Sequence, residues 1–180
     1  MVNSMKEELV YNRYAIALLQ LSIEKGQPEE YRKEVKCIKE ILKENKDFMM
    51  VINDVNLSLE EKYSIVDSVF KSAKEDIKIF IKIIIRNGRA FYLYEIFKET
   101  LYRFDDYLNI EEGVIYCTKD LADEDIEKAI KAIEKKTNKI LEITKVIDES
   151  LLGGFKIKIK DNVYDASLKK RVNMLKEELK

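Results

Sequence analysis

Carboxylates are the groups this sequence offers most freely for chemistry. Adjacent acids stand at Asp105-Asp106, Glu111-Glu112 and Asp123-Glu124-Asp125. Two carboxyl groups held in different environments can divide general-acid and general-base work. Each of these runs falls near the end of an expected element, where acids complement a helix start or solvate the surface. Abundance alone therefore makes no site. Gly153-Gly154 has glycine's freedom to cradle a phosphate. It lacks the spaced glycines and the Lys-Ser/Thr of a P-loop, and it leads into a strand, so a bulge or tight turn is the simpler reading. The chain has no histidine and two cysteines. Ser-His-Asp and Cys-His catalysis are excluded, as are His-ligated metals, Cys-rich zinc sites and a disulfide framework. Cys37 and Cys117 read as packing residues in a reducing compartment. No catalytic residue, metal-ligand set or cofactor motif emerges.

Basic clusters are the next chemistry to weigh. Lys135-Lys136-Thr137-Asn138-Lys139, Lys169-Lys170-Arg171 and the alternating Lys156, Lys158 and Lys160 could each meet a polyanion. With 33 basic and 34 acidic residues the net charge is −1. That argues against binding nucleic acid through the charge of the whole chain. A nucleic-acid-binding protein using the C-terminal basic module is the alternative reading. The bland one is a solvated strand face that also guards a sheet edge against aggregation.

The elements that must position these groups can be read from periodicity. Hydrophobic residues at 46% suffice for a core, and five glycines, one proline and many Lys and Glu favour long helices. Residues Lys6 to Lys25 form a helix with two apolar stripes: Val10, Tyr14, Ala17 and Leu21 on one, Tyr11, Ala15, Leu18 and Leu19 on the other. An ordinary surface helix buries one stripe; two mark either a central helix or one that keeps a face for a partner. Gly26 ends it and Pro28 opens the next helix, which carries Tyr31, Val35, Ile38, Ile41 and Leu42. Asn45 is placed to cap a short third helix, and Ser58 with Glu61 forms a capping box for a fourth. Ser72 to Glu75 repeats that pattern before a fifth. The fifth also has two stripes: Ile77, Phe80, Ile81 and Ile84, and then Ile79 and Ile83. Asn87-Gly88 stops it. A sixth runs through Leu93, Ile96, Phe97, Leu101, Phe104 and Leu108.

The pattern then changes. Val114 to Cys117 reads as a strand, Asp123 to Thr137 as a helix, and Ile140 to Ile147 as a strand. Phe155 to Lys160 alternates strictly, as a strand with one wet face does. A short strand at Val163-Tyr164 follows, then a helix capped by Asp165 or Ser167 with Leu168, Val172, Leu175 and Leu179 near heptad spacing. The fold class is α+β: a six-helix bundle over residues 1–109, then a small β-sheet and helix domain over 110–180. No segment reaches the roughly 18 apolar residues of a membrane span. The first residues lack signal-peptide character, so a soluble intracellular protein is expected.

Five short pieces, in order and correctly spaced, carry a resemblance. They are Arg13-Tyr14-Ala15 with Ala17-Leu18, Leu57-Ser58 with Glu61-Lys62, and Asn87-Gly88-Arg89. Asp148-Glu149-Ser150-Leu151-Leu152-Gly153-Gly154 and Asp165-Ala166-Ser167 complete the set. Together the sequence resembles the delta subunit of F-type ATP synthase, the oligomycin sensitivity-conferring protein family. The sequence departs from that family at Ala122, which cannot cap by its side chain, and at Leu152, where Ile is commoner. The resemblance implies a non-catalytic stator subunit without cofactor, one copy per complex, peripheral at the cytoplasmic face of the cell membrane. It implies that the bundle grips the N-termini of the alpha subunits in a groove between the first and fifth helices. The second domain would hold the b subunit of the peripheral stalk. Joined to the surplus stripes, it singles out Tyr14, Ala17, Leu21, Ile79 and Ile83 as the contact face.

Overall fold

The computed structural model describes residues 2–119, 121–168, 170 and 172, and side chains from residue 8 onward within that set. The chain divides into two units, Met1–Leu108 and Asn109–Lys180.

The first unit holds six helices: α1 (Val2–Glu24), α2 (Pro28–Glu44), α3 (Lys46–Ile52), α4 (Leu59–Val69), α5 (Glu75–Arg86) and α6 (Leu93–Tyr107). Pro28 occupies the first turn of α2, where its missing N–H leaves nothing unsatisfied. The Ser58–Glu61 capping box forms in full at α4. Gly88 takes φ +67, and Arg89 N–H closes back onto the Ile84 carbonyl at 3.1 Å, the left-handed stop expected of Asn-Gly. The core draws Leu18 from α1, Tyr31 and Val35 from α2, Ile77, Ile81 and Ile84 from α5, and Ile96, Phe97 and Phe104 from α6. Arg32 of α2, also buried, reaches Asp105 of α6 at 2.5 Å.

Three expectations are corrected here. Asn45 does not cap α3 by its side chain, which instead donates to the Ile41 carbonyl at 3.0 Å. Ser72 does not cap α5. That helix starts after Lys74, whose backbone N–H is taken by Glu34 of α2 at 2.8 Å, so a neighbouring helix supplies the acceptor. Cys37 is exposed and is no packing residue, whereas Cys117 is buried. A short 3₁₀ turn, Ala90–Tyr92, precedes α6 and was not visible in the periodicity.

The second unit is a four-stranded sheet in the order β2-β1-β3-β4. Its strands are β1 (Ile110–Cys117), β2 (Ile140–Ile147), β3 (Phe155–Ile159) and β4 (Asn162–Asp165), with α7 (Asp123–Thr137) between β1 and β2. The α7 crossover makes β1 and β2 parallel, and the other two pairings are antiparallel. The unit has its own core: Ile126 and Ile133 of α7 meet Ile115, Cys117, Leu141, Ile157 and Ile159 of the sheet. β1 begins four residues before the expected Val114. Glu111, Glu112 and Gly113 have poor strand propensity, but full pairing with Leu141 to Ile143 overrides it. β3 lies inside the sheet, so its lysines guard no edge, and the edges are β2 and β4. Ser167 accepts the Lys170 N–H at 3.4 Å, as a cap for the last helix would. Leu175 and Leu179 lie outside the described residues.

Candidate docking groove on the helical unit

The acid runs considered for catalysis are engaged structurally. Asp105 holds Arg32, Glu111 receives Lys139 at 2.5 Å and Lys160 at 2.9 Å, and Asp123 receives Lys145 at 2.7 Å. The Glu111 carboxyl is held below the usual carboxylate range by those two lysines, Lys139 foremost. Among the described residues no cluster of His, Cys, Asp and Glu could hold a metal ion. The Lys156, Lys158 and Lys160 row is no continuous basic face. Lys156 stands opposite Asp165 in the register, and Lys160 turns away at φ +50 to bind Glu111.

The five residues expected to face a partner are carried by α1 (Tyr14, Ala17 and Leu21) and α5 (Ile79 and Ile83). α1 and α5 are tied at both ends. Near one end Lys25, just past α1, binds Asp76 of α5 at 2.5 Å, and the Tyr31 hydroxyl donates to the same carboxylate. Near the other, the Tyr14 ring of α1 stands edge-on to Phe80, and its hydroxyl accepts from Asn87 Nδ2 and Arg89 Nη1, both at 2.8 Å. These ties make the two helices antiparallel. Counting inward from both ends places Leu21 level with Ile79 and Ala17 level with Ile83. Ala15 and Leu18 of α1 and Phe80 and Ile84 of α5 are buried.

Along this groove Ile79 and Ile83 are 46% and 45% exposed, Ala17 is exposed, and Tyr14 and Leu21 are half-buried. Two isoleucines one helical turn apart, each nearly half open to water, give α5 an exposed apolar stripe. Asp76 is held below the usual carboxylate range, first by Lys25 and then by Tyr31. The buried Tyr31 phenol is pushed well above its ordinary value, chiefly by burial and then by Asp76. The end of the groove next to α2 is thus an ionised carboxylate locked between two donors. Asn87 and Arg89 close the other end. In the sequence Asn87 reads as part of a helix stop and Arg89 only as part of the Asn87-Gly88-Arg89 piece, and their link to Tyr14 spans more than seventy positions, beyond the reach of local patterning.

A family profile described as ATP synthase delta (OSCP) subunit matches residues 10–179. The chain belongs to this family. ATP synthase subunit delta of Bacillus cytotoxicus is 30% identical over 176 residues, covering 97% of this chain and 98% of the relative. The subunits of the same name from Bacillus thuringiensis and Bacillus cereus match at the same identity and coverage. A chain in the cryo-EM structure of the Toxoplasma gondii mitochondrial ATP synthase hexamer shares the fold. It has a TM-score of 0.59 at 16% identity and covers 94% of this chain and 96% of that one. As a delta subunit, the protein is a non-catalytic stator component of ATP synthase. None of the helices, over the described residues, is long and apolar enough to cross a membrane.

Proposed function

We propose that the helical unit of this delta subunit holds the N-terminal segments of the alpha subunits in the α1–α5 groove. The observation that carries the proposal is the exposure of Ile79 and Ile83 on α5 and of Ala17 on α1, two antiparallel helices linked through Tyr14 and Lys25. An amphipathic helix laid there would bury its apolar stripe against these side chains, the helix-in-groove mode of recognition. Ala17 leaves room for the incoming backbone. The second unit holds the end of the b subunit of the peripheral stalk. One copy per complex bridges the two, at the cytoplasmic face of the membrane.

The mechanism is mechanical. Rotation of the central stalk changes the conformation of the catalytic head only if the head is kept from turning with it. The delta subunit resists that torque as one link of a static tether. Two separate attachments on one chain raise the effective concentration of each for its partner, so moderate contacts combine into a firm one. No bond is made or broken in this subunit.

Substituting Ala17→Asp sets a charge in the groove at an exposed position. We expect at least about a tenfold loss of affinity for the isolated catalytic head, from the cost of desolvating an unpaired carboxylate. Thermal stability should stay close to that of the parent protein. Unchanged head binding by the folded variant would remove Ala17 from the contact face.

A further inference from the structure

The groove is electrically lopsided. Arg89 stands at Tyr14, Arg13 precedes Tyr14 on α1, and Arg86 lies in the last turn of α5, just before Asn87, which also binds Tyr14. Arg13 and Arg86 are exposed, and no described carboxylate pairs with either. Arg89 lies over the Tyr14 ring, 5.4 Å from its centroid, and donates to the Tyr14 hydroxyl. That hydroxyl already accepts twice, from Asn87 and Arg89. Its own proton is therefore directed to neither, and one donor remains for an acceptor entering the groove. The opposite end also carries charge, but there it is matched. Lys25 neutralises Asp76 at 2.5 Å, and Lys78 neutralises Glu75 at 2.6 Å, leaving Glu24 exposed.

We infer that the groove orients its occupant: an amphipathic helix whose carboxylate-bearing end seats against Arg13, Arg86 and Arg89, with its apolar stripe over Ile79, Ile83 and Ala17. The inference rests on the docking reading above and adds direction to it. Apolar burial alone is nearly indifferent to the direction of a helix, because a stripe reversed end for end still covers the groove. Charge complementarity supplies the missing discrimination, since the wrong orientation brings the acids to an end where Lys25 and Lys78 are already paired. The free Tyr14 O–H adds a directional contact for a carboxylate or carbonyl oxygen at the basic end.

The test uses the full chain, isotopically labelled, and two synthetic amphipathic helical peptides of about five turns. Both carry the same apolar stripe. One has glutamates at its N-terminal end and lysines at the other, and the second has them exchanged. Each bears a nitroxide at its acidic end. In both complexes the nitroxide should broaden the amides of Arg13, Arg86 and Asn87 and spare those of Lys25 and Asp76. The double variant Arg13→Glu with Arg86→Glu should weaken binding about tenfold at low salt, with the difference shrinking as salt rises. If both peptides saturate the groove but the broadening falls near Lys25, or on both ends alike, or follows chain direction instead of the acids, the orientation claim is overturned and the groove stands. If neither peptide perturbs Ile79 and Ile83, the docking reading fails and the orientation claim goes with it.

Discussion

Asp76 shows how one side chain can organise the neighbourhood of the groove. It takes Lys25 beyond α1, Tyr31 of α2 and its own place in the first turn of α5, and so ties three helices at one point. Its carboxyl is held below its ordinary value of 3.8 in the folded state. An acid with a depressed folded pKa adds stability that is full above that ordinary value and is lost as pH falls through the lower, folded one. Replacing Asp76→Asn should cost about 1 kcal/mol near neutral pH, measured by urea unfolding, because a partly exposed charge-assisted contact becomes a neutral one. The gap between the parent and the variant should close on acidification below 3.8. A gap independent of pH would mean that the charge is not what matters. None of this was legible in the sequence. Only the fold brings Lys25 and Tyr31 to Asp76.

Helices and strands were read more easily, and the reasons differ from one to the next. The capping box at α4 involves groups three residues apart, so its chemistry is written locally. The α5 start is not local, since its acceptor comes from Glu34 forty positions earlier, and Ser72 misled. Four of the five pieces that carry the resemblance meet in space, two by two. Arg13-Tyr14-Ala15 joins Asn87-Gly88-Arg89 at the groove end. The segment around Gly153-Gly154 joins Asp165-Ala166-Ser167, with Leu168 N–H on the Gly153 carbonyl at 3.0 Å and Ala166 N–H on the Phe155 carbonyl at 2.9 Å.

This second junction gives a sharp contrast between two glycines. Gly88, at φ +67, has open space where a Cβ would go, while Gly154, at φ +80, would set a Cβ 2.4 Å from the Ala166 carbonyl oxygen. Gly88→Ala should therefore cost only the backbone term, about 1–2 kcal/mol. Gly154→Ala adds a backbone clash and should cost distinctly more. Hydrogen exchange would place the damage, with faster exchange in β1, β3 and β4 and unchanged protection in α5 and α6. Equal losses for the two variants would refute the close-approach argument.

For the whole molecule, the two-unit division follows from two separate apolar cores, one of helices and one of sheet and α7. The change from helical periodicity to alternation near residue 110 announced it, because each pattern buries its apolar residues in a different geometry. What one unit grips cannot be written in composition: a net charge of −1 says nothing of a partner. Two surplus stripes on α1 and α5 said more, since exposed apolar side chains at helical spacing cost solubility unless something covers them. The groove they form is the central claim, and calorimetry tests it most directly. The full chain is titrated with a peptide of the N-terminal segment of the alpha subunit from the same organism. The account predicts saturable one-to-one binding with a negative heat-capacity change, the mark of apolar burial, and marked weakening by Ala17→Asp. No heat and no binding by a protein shown to be folded would contradict it.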